Sequence, residues 1–319
     1  MKLLPSLLLC VGLFTASAQA QSPKPLRILL ITGGCCHDYA KQKDILKEGI
    51  EKRLHAEVVQ VHTDDKSVKP PLAIYGNPEY AKGFDLVIHD ECAAGISDEA
   101  VVRGVLKPHD EGTPGVNLHC AMHSYRIGNA GDPVELGTPH GLWFEYLGLQ
   151  STGHGPQEPI EITHIDKNAA LSKNLPDWST VNEELYNNIR VFDTAIPVAR
   201  GKQVIKSTPV TVSFGGKEYS ATAGSNGKWV VKLEPIPANT APQQMTLTGF
   251  IKDGTAKESD FVVAWTNMHK AKTRVFSTTI GHNNATVEDD RYLDLVTRGV
   301  LWATDKLNPD GTAKAGAAK

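Results

Sequence analysis

The chain has 319 residues, 33 Lys and Arg against 36 Asp and Glu, and a net charge of −3. The signs are interspersed, so it lacks the basic stripe that nucleic-acid binding requires; a small-molecule sugar or a glycan is the expected partner. About 300 residues beyond position 20 suffice for one large α/β domain with an elaboration, or for two domains, and composition leaves the oligomeric state open.

Lys2, the apolar stretch Leu7 to Phe14 and the small residues of Ala18-Gln19-Ala20 predict a secretory signal over residues 1–20, cut after Ala20, and hence a periplasmic or secreted protein. The apolar stretch is too short to anchor the chain, and no later segment approaches the roughly 20 apolar residues of a membrane helix. Cys10 lies inside it without a lipoprotein box. Cys35, Cys36, Cys92 and Cys120 remain, too few for a disulfide scaffold in a chain of this length. Close pairs can still join in an oxidising compartment, and spacing leaves the pairing open.

Leu26 to Thr32 reads as a buried strand with Gly33-Gly34 as its sharp exit, and Tyr39 to Leu54 as a helix carrying Ile45, Leu46, Ile50 and Leu54 at helical spacing. Glu57 to Val61 and Phe84 to Ile88 are the next strands, separated by a Pro-containing stretch with Tyr75 and Tyr80. Ser97 is expected to cap a helix through Leu106, with acidic residues at its positive end. Val116 to Leu118 is a short apolar strand of the kind found at the centre of a parallel sheet. Gly128 to Gly141 reads as loop, Leu142 to Leu147 as an aromatic-rich segment, and Pro159 to Ile165 as a strand. The loop Asp166 to Trp178 then leads into Val181 to Tyr186.

Pro209 to Phe214, Lys217 to Ala223 and Lys228 to Leu233 alternate, with turns at Gly215-Gly216 and Ser225-Asn226-Gly227. Asn-Gly between alternating runs is a strong hairpin signal. Residues 207–257 are therefore expected to form a small antiparallel β module, inserted between parallel-sheet segments at residues 21–206 and 258–307. Phe261 to Trp265 and Arg274 to Thr279 read as paired strands and Asp289 to Thr304 as a closing helix, with residues 308–319 as a disordered tail.

Reactive side chains fall at the ends of three apolar runs: Cys35-Cys36-His37-Asp38, His89-Asp90-Glu91-Cys92, and His119 to His123. In an open α/β sheet, ligands bind in the crevice beyond the carboxyl ends of the strands, so these segments are expected to meet there.

Thr32-Gly33-Gly34 with His37, His119 after the fourth strand, Gly153-His154-Gly155, Glu183-Glu184-Leu185-Tyr186, Val263-Ala264-Trp265, Arg274 to His282 and Arg298 to Ala303 follow one another in an order and spacing by which the chain resembles the trehalose-utilisation (ThuA-like) family. The resemblance implies a flavodoxin-like, class I glutamine amidotransferase-like fold: α/β, with a mostly parallel sheet flanked by helices. It also implies a role in disaccharide utilisation. Residues 221–229 and 245–249 resemble a segment of sialate O-acetylesterases; they bring no Ser/His/Asp set, which implies an accessory β piece. Amidotransferase relatives place a nucleophilic Cys where this chain has His119, and Cys120, one residue on, is expected to point elsewhere; glutamine hydrolysis is disfavoured. Asn168-Ala169 stands where many family members carry a His-Pro pair.

His119, Glu184, His37 and His282 are the expected acid/base residues, because imidazole beside a carboxylate transfers protons near neutral pH. Glu91, His154, Tyr186 and Trp143 are expected to bind substrate, Trp143 as a platform for a sugar ring, and His123 and His140 to be surface or loop residues. His37, Glu91, His119 and His282 are also ligand types suited to Zn²⁺. The expected function is an exported hydrolase or isomerase acting on a disaccharide or oxidised sugar. The competing reading is a non-catalytic periplasmic glycan-binding protein using the same crevice.

Overall fold

The computed structural model describes the backbone of residues 23–206, 210–214, 217–223, 229–231, 249–251 and 256–319, and the side chains of residues 23–205 and 258–319. The expected signal peptide, both module turns and residues 245–248 lie outside the described residues.

The first half of the main sheet is made by β1 (Leu26–Gly34), β2 (Ala56–Thr63), β3 (Leu86–Cys92) and β4 (Gly115–Leu118). The remainder comes from β5 (Leu149–His164), β6 (Trp178–Val191), β7 (Ala195–Lys206), β12 (Ala256–His269) and β13 (Thr273–Thr278). The order is β2-β1-β3-β4-β13-β12-β7-β5-β6. Pairing is parallel from β2 to β13 and antiparallel from β13 to β6.

The sheet is therefore mixed, which corrects the expectation of a mostly parallel one. Strands buried on both faces read as continuous apolar runs whichever way their neighbours run, so composition does not report direction. Connection length does. Only residues 270–272 separate β12 from β13, with Lys270 and Ala271 at positive φ, and so short a link cannot make a parallel crossover. The strands flanking the inserted module, β7 and β12, are antiparallel to each other, contrary to the parallel texture expected there.

Helices cover both faces. Ile28 and Leu30 of β1 pack in one cluster with Leu46 and Ile50 of α1 (Tyr39–Arg53), Val287 of the short α4 (Asn284–Val287), and Val296 and Val300 of α5 (Asp290–Ala303). Leu29 and Ile31 turn the other way, toward Leu72 and Tyr80. A further cluster joins Val102, Val105 and Leu106 of α2 (Glu99–Glu111) to Trp143, Tyr146 and Leu147 of α3 (Leu142–Leu147). The helix cap falls on Asp98, one residue beyond the expected Ser97; its carboxylate accepts from the backbone of Ala100 and Val101.

Two further expectations change. β3 runs on through His89-Asp90-Glu91-Cys92, so these residues lie within the strand and alternate between its faces. Residues 308–319 pack against the body: Leu54 bridges to Ala318, His55 N–H donates to the Ala317 carbonyl, and Ala317 is buried.

The inserted segment contains β8 (Val210–Phe214), β9 (Lys217–Ala223), β10 (Trp229–Val231) and β11 (Gly249–Ile251), antiparallel in the order β10-β9-β8-β11. Its stem is the β7–β12 pair, whose outermost partners are Lys206 and Ala256.

Candidate active site

Four side chains from four parts of the chain converge at the carboxyl ends of the parallel strands. His37 follows β1, His119 follows β4, His282 follows β13, and Glu184 comes from β6, brought over by the β5–β6 hairpin. One ligand-type atom from each lies within 4.8 Å of all the others. His37, Glu184 and His282 stand in the wall of a cavity of about 500 Å³ that Cys35, Cys36, Cys92, Cys120, His123, Arg126, His154, Gln157 and Tyr186 also line, with His119 buried directly behind Glu184 and Tyr186.

Local structure fixes each group. β4 ends and His119 takes a φ of +42°, which starts a single 3-10 turn over His119–His123. Its Nδ1 lies 2.6 Å from the Thr279 carbonyl oxygen, so Nδ1 carries the proton and donates. That leaves Nε2 facing Glu184 Oε2 at 3.5 Å and the Tyr186 hydroxyl at 3.4 Å. His282 is held by its backbone: Glu183 accepts from the N–H groups of His282 at 2.9 Å and Asn283 at 2.8 Å, while Gln42 donates to the His282 carbonyl at 3.1 Å. Gln157 donates to His282 Nε2 at 2.8 Å and to Glu184 Oε1 at 3.2 Å.

The electrostatics follow from crowding three imidazoles around one carboxylate. Burial, reinforced by the neighbouring His119 and His282, pushes His37 down to about 2, so it is neutral. Burial also works against a charged His119, but hydrogen bonding to Glu184 and the charges of Glu183 and Glu184 outweigh it and hold His119 above the ordinary imidazole range. Glu184 resists the upward push of its own burial and sits well below the usual carboxylate range, because His119 and His282 hydrogen-bond to it.

His37 Nδ1 is buried and has no hydrogen-bond partner, while His282 Nδ1 faces Glu184 Oε1 at 3.3 Å. An orphaned imidazole nitrogen beside further imidazoles and a carboxylate is what a cation site of the Zn²⁺ type presents, so His37, His119, Glu184 and His282 fit such a group. Of the ligands expected for it, Glu91 is replaced by Glu184.

Glu91 and Trp143 are not in the cavity. Glu91 sits on the opposite face of β3 from Cys92, where Tyr75 and Tyr125 donate to its Oε1 at 2.5 and 2.7 Å and His89 Nδ1 lies 3.0 Å away. The one-residue alternation of the extended strand sends it there. Trp143 is buried among Tyr125, Tyr146 and His89 and donates to the Ala121 carbonyl at 2.8 Å, so it offers no platform. His154 does reach the site, 3.5 Å from Glu184 Oε2, but from within β5; neither Gly153 nor Gly155 has positive φ.

Several groups escaped the sequence reading. His123, expected at the surface, is buried; it bonds Ser151 Oγ at 3.0 Å and stacks on Tyr186 with centroids 4.1 Å apart. Arg126 enters from the following loop and donates to the Thr152 carbonyl at 3.2 Å. Glu183 was visible as half of an acidic pair, but its function as the clamp of the His282 loop depends on the fold. Cys120, expected to point elsewhere, lines the cavity with Sγ 2.8 Å from His37 Nε2. Hydrogen bonding to Cys92, together with burial, pushes the Cys120 thiol up, so it is not an activated thiolate. Hydrogen bonding to Cys120 outweighs burial at Cys92 and pulls that thiol down to about 7. Cys35 and Cys36 are joined as a disulfide between adjacent residues.

A mixed α/β sheet with a His/Glu centre at its parallel strand ends defines the class of protein. The family model described as trehalose utilisation, ThuA, matches residues 27–303, and the chain belongs to that family. A ThuA-like protein from Parabacteroides merdae ATCC 43184 superposes with a TM-score of 0.50 at 15% identity, covering 92% of this chain and 97% of that one. This likeness shows the fold. A ThuA-like protein from Bacteroides uniformis ATCC 8492 gives 0.48 at 14% identity, with coverage of 92% and 98%. A GMP synthase protein from Thermoplasma acidophilum gives 0.38 at 8% identity, with coverage of 85% and 94%. No curated protein matches the chain.

Proposed function

We propose that this member of the trehalose-utilisation family is an exported enzyme that acts on a disaccharide or an oxidised sugar by His/Glu acid-base chemistry, as a hydrolase or isomerase. The observation that carries the reading is the convergence of His37, His119, Glu184 and His282 within 4.8 Å at a cavity large enough for a small sugar. The Thr279 carbonyl fixes the His119 tautomer and leaves Nε2 to give or take a proton toward Glu184 and Tyr186, which line the cavity. Glu184 balances the charge of His119 when it is protonated. Glu183 and Gln157 orient His282, and the Tyr186 hydroxyl, beside His119, is placed to hydrogen-bond a sugar hydroxyl. A divalent cation of the Zn²⁺ type, held by His37, His119, Glu184 and His282, would take His119 Nε2 and would supply a Lewis acid and a water activated near neutral pH in place of proton transfer by His119.

Elemental analysis of purified mature protein, combined with an activity screen over disaccharides and their oxidised derivatives, tests the reading. Product formation that disappears in Glu184→Gln is the expected result. Saturable sugar binding without product would establish the glycan-binding alternative instead. Export has its own check: intact mass of protein recovered from the native host's envelope should begin near Gln21, and a mature species retaining Met1 would remove export from the reading.

A further inference from the structure

The cavity wall beside His37 carries a second chemistry. Parallel pairing of β1 with β3 sets Gly34 beside Cys92, so Cys35, one residue past the end of β1, lies over the Cys92 side chain. Cys35 Sγ and Cys92 Sγ are 3.3 Å apart, while Cys35 is bonded to Cys36. A free thiol thus touches one sulfur of a disulfide whose other sulfur belongs to an exposed residue. Cys36 also has a φ of +83°, a region that non-glycine residues occupy rarely.

We propose that Cys35, Cys36 and Cys92 form a thiol–disulfide exchange centre, in which Cys92 resolves the Cys35–Cys36 bond and presents the Cys36 thiol to the cavity. The Cys92 thiolate attacks Cys35 Sγ; the Cys35–Cys92 bond forms as the Cys35–Cys36 bond breaks, and the electron pair leaves on Cys36 Sγ. The proton that Cys92 gives to water is regained at Cys36, so the step needs neither oxidant nor reductant. Exchange moves the free thiol from a buried strand residue to an exposed one at the cavity, within reach of small electrophiles and low-molecular-weight disulfides. A disulfide RSSR attacked by the Cys36 thiolate would give the Cys36–SR mixed disulfide and release RS⁻.

The test is alkylation of the folded, mature, unreduced protein with iodoacetamide, followed by acid quench, digestion without reductant and peptide mapping. The expected result is label on Cys36, accompanied by a Cys35–Cys92 cross-linked peptide, with loss of the Cys36 label in Cys92→Ser. Recovery of only the Cys35–Cys36 pair with Cys36 unlabelled after prolonged exposure would overturn the proposal. So would equal labelling of Cys36 in wild type and Cys92→Ser, which would make Cys36 a plain unpaired thiol. Should Cys92→Ser fail to fold, the cross-linked peptide of the wild type decides alone. None of these readouts involves sugar chemistry, so their failure leaves the proposed activity untouched.

Discussion

Replacing His119 separates chemistry from packing, because its two ring nitrogens have different tasks. His119→Ala removes both and leaves the buried Thr279 carbonyl without its donor, so it should lose activity and about 1 to 3 kcal/mol of stability. His119→Asn places an amide N–H where Nδ1 was, so it should keep most of that stability while turnover falls by roughly 10² to 10⁴, the usual contribution of one proton-transfer group. Chemical denaturation and a rate assay read the two effects independently; undiminished turnover in a stable Asn variant would remove His119 from the chemistry. Placing His37 and His119 in the crevice needed only the rule that ligands gather at strand ends, and family motifs added His282 and Glu184. Glu91 was misjudged because β3 outlasts its apolar run, and once a strand continues, parity decides which side chains share a face. His123, Arg126 and Gln157 were illegible for a related reason: a 3-10 turn and the irregular register of β5 set their directions, and neither leaves a periodic trace.

At the scale of elements, one substitution should have opposite signs in two helices. Gly104 in α2 has open space where a Cβ would go, so Gly104→Ala should stabilise by about 0.5 to 1 kcal/mol through the lower entropy of the unfolded chain. Gly299 in α5 would put its Cβ 2.3 Å from the Phe276 ring on β13, so Gly299→Ala should destabilise by about 1 to 3 kcal/mol through overpacking. Urea midpoints at unchanged slope check both, and equal signs would refute the close approach of α5 to the sheet. The inserted module allows a larger test. Lys206 and Ala256 are direct partners, so replacing the residues between them with a short Gly/Ser turn should close a β7–β12 hairpin and leave a cooperative fold. A broad, non-cooperative transition in that variant would tie the module to the main core. Helices α1, α2 and α5 were legible from apolar spacing. Burial on both faces erases the alternation along β12 and β13, which hid the change of direction there, whereas β5 and β6 do alternate over residues 160–164 and 178–181, a local trace of the antiparallel half.

For the whole molecule, acid should weaken the fold before the carboxylates titrate. Burial holds His109 well below the ordinary imidazole range; it is enclosed, donating from Nδ1 to the Thr113 carbonyl at 2.7 Å. The unfolded chain therefore binds a proton there that the folded chain refuses, so stability is full above about pH 6.5 and declines as pH falls, by up to about 1.4 kcal/mol per unit for each such group. His123 adds to the same slope through burial and the nearby Arg126. His109→Asn keeps the Thr113 donor and should flatten the decline between pH 7 and 5; an unchanged slope would show that His109 titrates normally in the folded state. The family and the presence of an α/β sheet were readable in the sequence, because motifs at both ends of the chain agreed. That β13 links the parallel half to the antiparallel half was not, since pairing partners far apart in sequence leave no local mark. This link also fixes an order of events. Thr278 pairs with Leu118 across 160 residues, and in the strand order β12 is joined to the parallel half through β13. During synthesis the two halves must wait for the last fifth of the chain, with the edge of β4 open and His119 lacking Thr279, so the His/Glu cluster is among the last parts of the molecule to exist.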